Sequence, residues 1–419
     1  MCRCGLDAHA VARGSAVWPG ARARNQAHGQ YPRARRPARS AAARARLAGR
    51  LSRLVRLARI HPGPRRAGQL RPRPVRGVQP HPRRPRHLGG PARHLVRLGR
   101  ARRRRALRDA RTAGRGAVGG GGVRATLIDE PDGPRTVLGE SPRWDGRIWW
   151  WVDASDGVWA RQPGRSATAV WSLGERTSLV HPEVSGGAVV ARQQVLYVLR
   201  RRGPGMRFTA VRWCDLGLDE GWMVNDGVAD SWGRLWIGSI APGQAPGGGA
   251  LLRVEPDGRI AAAVEGFTMS NGMAWDVAEK HLLHVDTLER TVWSHRVDMA
   301  SGTVLGSERF LTFSPDDAVP DGLATDIDGG VWVAMYGAGE IRRYDASGVF
   351  DTSVEVDPPQ STSVELGGPD RKELLITTAR EGYNDERSAR EPWAGRLYHA
   401  RSEHAGVARR PAVVEMGLI

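Results

Sequence analysis

The chain has 419 residues and a formal net charge of +19. The charge is uneven: residues 1–122 hold 32 Arg, no Lys and two acids, which leaves about −11 on the remainder. A basic excess confined to one segment gives no ground for a nucleic-acid partner. Cys2, Cys4 and Cys214 are too few and too scattered for a disulfide framework or a zinc site.

No apolar run of about 18 residues suggests a membrane span, and the start lacks the apolar core of a secretory signal. A cytoplasmic protein without membrane partners is expected.

Residues 1–122 consist largely of Arg, Ala, Pro, Gly, His and Leu, as in "RPRPVRGVQPHPRRPRHLGG". So few large apolar side chains cannot offset the entropy of ordering a chain, so a disordered segment is expected. Leu47, Leu51, Leu54 and Val55 mark one possible basic amphipathic helix. A disordered tail and a functional basic arm are two readings. The preferred one is a mis-assigned start, in which a GC-rich coding region is read too early or out of frame.

From Val123 the texture changes to short β-type runs separated by Gly, Asp, Asn and Pro. Apolar cores recur at Gly146–Asp153, Gln194–Arg200, Gly233–Ile240, Lys280–Asp286, Gly329–Tyr336 and Lys372–Ala379. The spacing is roughly 45 residues, and further strand-like runs such as "GVWAR" and "TVWSHRV" follow several cores. About four short strands per repeat predict an all-β, six-bladed β-propeller over residues 123–419. A β-sandwich would repeat every 8–12 residues without the longer period. The 14 Trp of this part suit side chains wedged between blades.

Polar residues interrupt this pattern at matching points. "VLGESPRW" places Glu140 before the first blade's strand, and "MVNDGVAD" places Asn225 and Asp226 before the third. "MSNGMAW" places Asn271 before the fourth, and "VPDGLATD" places Asp321 before the fifth. A single Asn-Gly or Asp-Gly is ordinarily a turn, the reading kept for Asp132-Gly133, Asp145-Gly146 and Asp257-Gly258. Equivalent positions in successive blades instead point at one axis. Converging carboxylates and amide oxygens repel and are costly to desolvate unless a divalent cation joins them. Oxygen donors suit Ca²⁺, Mg²⁺ or Mn²⁺, with Zn²⁺ an option.

His281, His284 and His295 are expected in packing or surface roles, and "HPE" (His181–Glu183) reads as a structural loop. No Gly-x-Ser-x-Gly elbow supports a serine hydrolase, and "GRGAVGGGG" lacks the preceding strand of a nucleotide fingerprint.

In combination, "LGESPRW", "NDGVADSWGRLWIGSI", "SNGMAW", "PDGLATDIDGGVWVAMYGAGEIRRYD" and "TTAREGYNDERSAREPWAGRLYHA" resemble the senescence marker protein/gluconolactonase/regucalcin-like family over about Leu127 to Arg401. The resemblance implies a six-bladed propeller with a single divalent metal, Ca²⁺ first, held by Glu140, Asn271 and Asp321. Asn225 would touch metal or substrate. It implies hydrolysis of a small-molecule sugar lactone or related ester, with the metal as Lewis acid, Asp321 as base and Asn225 donating to substrate. Members acting on gluconolactone-like substrates carry Arg two residues before the motif Asn, where this chain has Met223. Pro242-Gly243 falls where a sugar-binding Glu is expected. A less polar lactone or ester is therefore an open alternative. A non-catalytic metal- or ligand-binding propeller of regucalcin type, or a scaffold for protein partners, are the other function classes, and a monomer or small homo-oligomer is expected.

Overall fold

The computed structural model describes residues 123–128, 133–172, 174–203 and 205–416. Expectations for residues 1–122, including the Leu47 helix, and for Asp132 lie outside the described residues. The chain divides into residues 1–95 and 96–419, and everything described belongs to the second unit.

Six sheets follow one another along the chain. Blade 1 holds β3 (Gly139–Trp144), β4 (Trp149–Asp153), β5 (Gly157–Arg161) and β6 (Thr168–Ser172). Blade 2 holds β7 (Thr177–Glu183), β8 (Gly187–Arg192), β9 (Val195–Arg201) and β10 (Phe208–Asp215). Blade 3 has β11 (Met223–Ala229), β12 (Leu235–Ile240), β13 (Gly249–Val254) and β14 (Ile260–Phe267). Blade 4 has β15 (Ser270–Trp275), β16 (His281–Asp286), β17 (Thr291–Asp298) and β18 (Thr303–Thr312). Blade 5 has β19 (Val319–Thr325), β20 (Val331–Tyr336), β21 (Glu340–Tyr344) and β22 (Phe350–Glu355). Blade 6 has β23 (Ser361–Gly367), β24 (Glu373–Thr378) and β25 (Tyr398–Arg401), and its fourth strand is β2 (Thr126–Leu127), from before blade 1. Beside it, β1 (Val123–Arg124) runs parallel to β22 of blade 5. The expected six-bladed propeller is therefore present, closed by early strands latched onto the last two blades.

The strands form because alternate side chains fill the seams between blades. Trp150, Trp151, Trp236 and Trp332 are fully buried there. Three Asp residues just before second strands bind a Trp of that strand: Asp145, Asp230 and Asp326 accept the indole N–H of Trp150, Trp236 and Trp332, each at 2.9 Å. The Gln194–Arg200 core is the third strand of its blade, whereas the other five cores are second strands. His181–Glu183 is not a loop: it ends the buried innermost strand β7.

The polar motif residues do not precede strands, as expected, but lie within the innermost ones. Glu140 is in β3, Asn225 and Asp226 in β11, Asn271 in β15 and Asp321 in β19. Each of these strands shifts register at the motif, between Glu140 and Arg143, Val224 and Gly227, Ser270 and Met273, and Pro320 and Leu323. These are β-bulges, which insert an extra residue and re-aim side chains.

The glycines after Asn271 and Asp321 serve close approach rather than a positive φ. A Cβ on Gly272 would stand 2.4 Å from the Leu323 nitrogen, and one on Gly322 2.0 Å from Ser363 Oγ. Neighbouring innermost strands touch backbone to backbone at the axis.

Residues after β25 cross the opposite end of the ring. Ala412 bridges to Glu183 and Gly406 to Asp326. Arg409 pairs with buried Glu365 and donates to the carbonyls of Met273 (3.0 Å) and Leu323 (3.2 Å). Among the described residues no helix is long and apolar enough to cross a membrane.

Gly272→Ala should cost about 1–3 kcal/mol, because the obstructing atoms are backbone of the next blade. Gly306→Ala, with open space at its Cβ, should be near neutral. Urea midpoints of the two variants check the contrast.

Candidate functional site

The bulges bring Glu140, Asn225, Asn271 and Asp321 to the end of the channel where the innermost strands begin. The local cause is repeated. Asp153, closing β4, accepts the amides of Val137 (2.9 Å) and Leu138 (3.3 Å), just before Glu140. Asp286, closing β16, accepts those of Thr268 (2.8 Å) and Met269 (2.9 Å), just before Asn271. These carboxylates pin the approach to two motif strands. Their signal was the terminal Asp shared by the cores "GRIWWWVD" and "KHLLHVD".

Asn271 is buried, and its Nδ2 donates to Thr287 Oγ1 at 3.1 Å, leaving its carbonyl oxygen for another partner. Asn225 Nδ2 donates to the Ser270 carbonyl at 3.0 Å, and its Oδ1 accepts from Arg176 at 3.4 Å. Asp321 is buried, and its Oδ1 has no hydrogen-bond partner among the described residues. Burial lifts its pKa well above the ordinary range, with further push from Glu140 and Asp226, while the Asn271 amide opposes. Glu140 accepts its neighbour's amide, from Ser141, at 3.2 Å. Burial, then the charge of Asp226, pushes its carboxyl up to about 8.

Asp226 does not join this set. Arg143 of blade 1 holds it at 2.5 Å, with both side chains buried, and Ser141 Oγ donates to it at 3.3 Å. It is neither a turn residue nor a free donor: it acts on the site by charge.

An orphaned carboxylate oxygen, a second carboxylate pushed towards its neutral form and two amide oxygens fit a divalent cation, because ionised oxygens need a counter-charge. Asp326, Asp328 and His404 also cluster, with ligand atoms within 4.8 Å of one another, at the opposite end of β19. That group fits poorly. Asp326 already accepts from Arg343, the Trp332 indole and the amides of Asp328 and Gly330.

A cavity of 540 Å³ bounded by Glu183, Glu365, Arg371 and Arg409 opens on that opposite face too, away from the motif residues. His284 and His295 pack as a buried pair at 3.2 Å, and burial keeps both neutral, His295 down to about 4.

Four residues at the mouth were given no site role by the sequence. Arg176 enters from the link between blades 1 and 2. Glu381 lies in the link from β24 to β25, where Gln360 donates to its carbonyl (3.3 Å) and to the Tyr336 hydroxyl. Glu381 was at least inside a quoted motif, whereas Arg176 carried no local signal.

The model of the SMP-30/Gluconolactonase/LRE-like region matches residues 138–380. A pentonolactonase of Haloferax volcanii is 30% identical over 250 residues, covering 58% of this chain and 81% of that one. Bos taurus regucalcin is 26% identical over 276 residues, covering 62% and 89%. A calcium-binding regucalcin from Agrobacterium tumefaciens superposes with a TM-score of 0.61 at 23% identity, over 71% of this chain and all of that one. A luciferin-regenerating enzyme gives 0.63 at 22%, over 69% and 100%. At these identities the two structures establish the shared fold.

Without a bound cation, stability should depend on pH in a set direction. Glu140 and Asp321 hold protons more tightly folded than unfolded, so the folded state binds more protons. Their contribution is complete below the ordinary carboxylate range and is lost as pH rises, for Glu140 towards about 8. The melting temperature of chelator-treated protein should fall across that window, and added Ca²⁺ should reverse the fall.

Proposed function

Because the chain belongs to the SMP-30/Gluconolactonase/LRE-like family, we infer that it is a divalent-metal-dependent lactonase that opens a sugar lactone or related cyclic ester by hydrolysis. The observation that carries this reading is the buried Asp321 carboxylate, with one oxygen unpartnered and Glu140 raising its pKa. The pentonolactonase relative supports the same chemistry.

Glu140, Asn271 and Asp321 are the proposed metal ligands, with Asn225 beside them. The all-oxygen set favours Ca²⁺, while Mg²⁺, Mn²⁺ and Zn²⁺ accept similar donors. Such an ion supplies a Lewis acid for the carbonyl oxygen or the attacking water. Asp321 takes a proton from that water as its oxygen adds to the carbonyl carbon. It returns the proton to the ring oxygen as the acyl C–O bond breaks, so water is added across one bond and a hydroxy acid leaves. Asn225 spends one N–H on Ser270 and has the other to donate to a substrate oxygen. Arg143 pairs with Asp226 at 2.5 Å, which limits the repulsion that a third free carboxylate would add.

Chelator-stripped protein should regain turnover of aldonolactones or simple γ-lactones when Ca²⁺, Mn²⁺ or Zn²⁺ is restored. Stoichiometric ion binding with no turnover would favour a non-catalytic metal-binding propeller instead. Ion binding should release protons and weaken as pH falls below about 8. Asp321→Asn should lose at least about 100-fold in kcat with an unchanged β circular-dichroism spectrum. Wild-type rates in that variant would remove Asp321 from the mechanism.

A further inference from the structure

Arg176 stands at the mouth with little to hold it. One terminal nitrogen lies 3.4 Å from Asn225 Oδ1, a long contact, and its buried Nε has no hydrogen-bond partner among the described residues. A guanidinium presents five N–H groups, and leaving its buried Nε–H unpaired is costly.

Its charged surroundings are Glu381 and Glu140, which oppose the downward pull of burial on its pKa. Glu381 is exposed, and its charge also reaches Tyr336 and Asp321. Its backbone carbonyl accepts from Gln360 at 3.3 Å, and Gln360 also donates to the Tyr336 hydroxyl, which places Glu381 beside the same opening from blade 6, while Arg176 reaches in to Asn225 from the link between blades 1 and 2. The 3₁₀ turn Pro242–Gln244, the expected place of a sugar-binding Glu, has Gly243 at φ 64° and no buried residue.

We propose that Arg176 and Glu381 are the specificity-determining pair of this mouth, binding ring hydroxyl groups of the lactone. A hydroxyl can accept from a guanidinium N–H and donate to a carboxylate at once, satisfying both partners. A substrate carboxylate fits less well, because it would face Glu140, Asp321 and Glu381 together. A plain hydrocarbon lactone would leave the Arg176 N–H groups unpaired. The charged partners missing at Met223 and Gly243 are thus supplied from other blades, and the open alternative of a less polar substrate loses ground.

This inference rests on the lactonase reading, and one experiment separates the two. Rates on glucono-δ-lactone and on δ-valerolactone are compared for wild type, Arg176→Met and Glu381→Gln, each loaded with Ca²⁺. The wild type should prefer the hydroxylated ring. Each variant should narrow that preference by about 10- to 100-fold, mainly through KM for the hydroxylated substrate. Removing the Arg176 charge should also tighten Ca²⁺ binding, since it takes a cation away from Glu140.

An equal loss on both lactones, no change in preference, or weakened Ca²⁺ binding in Arg176→Met would overturn the pair while leaving the lactonase reading intact. A wild type that opens neither ring would overturn both.

Discussion

The site depends on backbone contact between neighbouring innermost strands at the channel axis. Gly272 lies against Gly322, and Gly322 against Ser363, at distances that leave no room for a β-carbon. Only such close approach lets short Asn and Asp side chains from different blades meet. The bulge beside each glycine supplies the other half of the device. It turns the preceding side chain towards the axis, out of the alternation that would send it into a seam.

Bringing acids together this way creates an electrostatic problem, and the structure handles it in layers. Glu140 and Asp321 face the mouth, where a cation can reach them. Asp226 is paired with Arg143, which offsets part of its charge on the site. Below that, Glu365 is paired with Arg409, delivered by the segment crossing the far end of the ring. Arg143 feels Asp226, Arg409, Glu365 and Glu140 together. Buried pairs of this kind add little net stability over apolar packing, since desolvation offsets their attraction. What they do here is keep the column's charge alternating, so that the uncompensated acids are those at the open end.

Much of this was legible in the sequence. The period of the apolar cores is a direct imprint of blade stacking, and the matching positions of Glu140, Asn225, Asn271 and Asp321 correspond to bulged positions in the innermost strands of four blades. The glycine grammar was legible but open to misreading. Asn-Gly is the same dipeptide whether it serves a turn or a bulge, and only the register of the partner strand distinguishes them. His181–Glu183 looked like a loop because Pro182 interrupts it, yet it completes an innermost strand. Asp226 and Asn225 are adjacent in sequence and opposite in role, which follows from where Arg143 of another blade happens to lie. Arg176 and Glu381 were out of reach for the same reason: their meaning comes from contacts between blades far apart along the chain.

The latch made by Thr126 and Leu127 against Tyr398 and His399 has a consequence for how the molecule comes into being. The last sheet cannot be completed until the chain has been synthesised to its final blade, so the earlier ones must wait with a bare flank. Such a long-range pairing slows folding and prolongs the time in which unpaired strand borders can meet those of another nascent copy. The order of synthesis is therefore set against the order of closure in the way this ring is fastened.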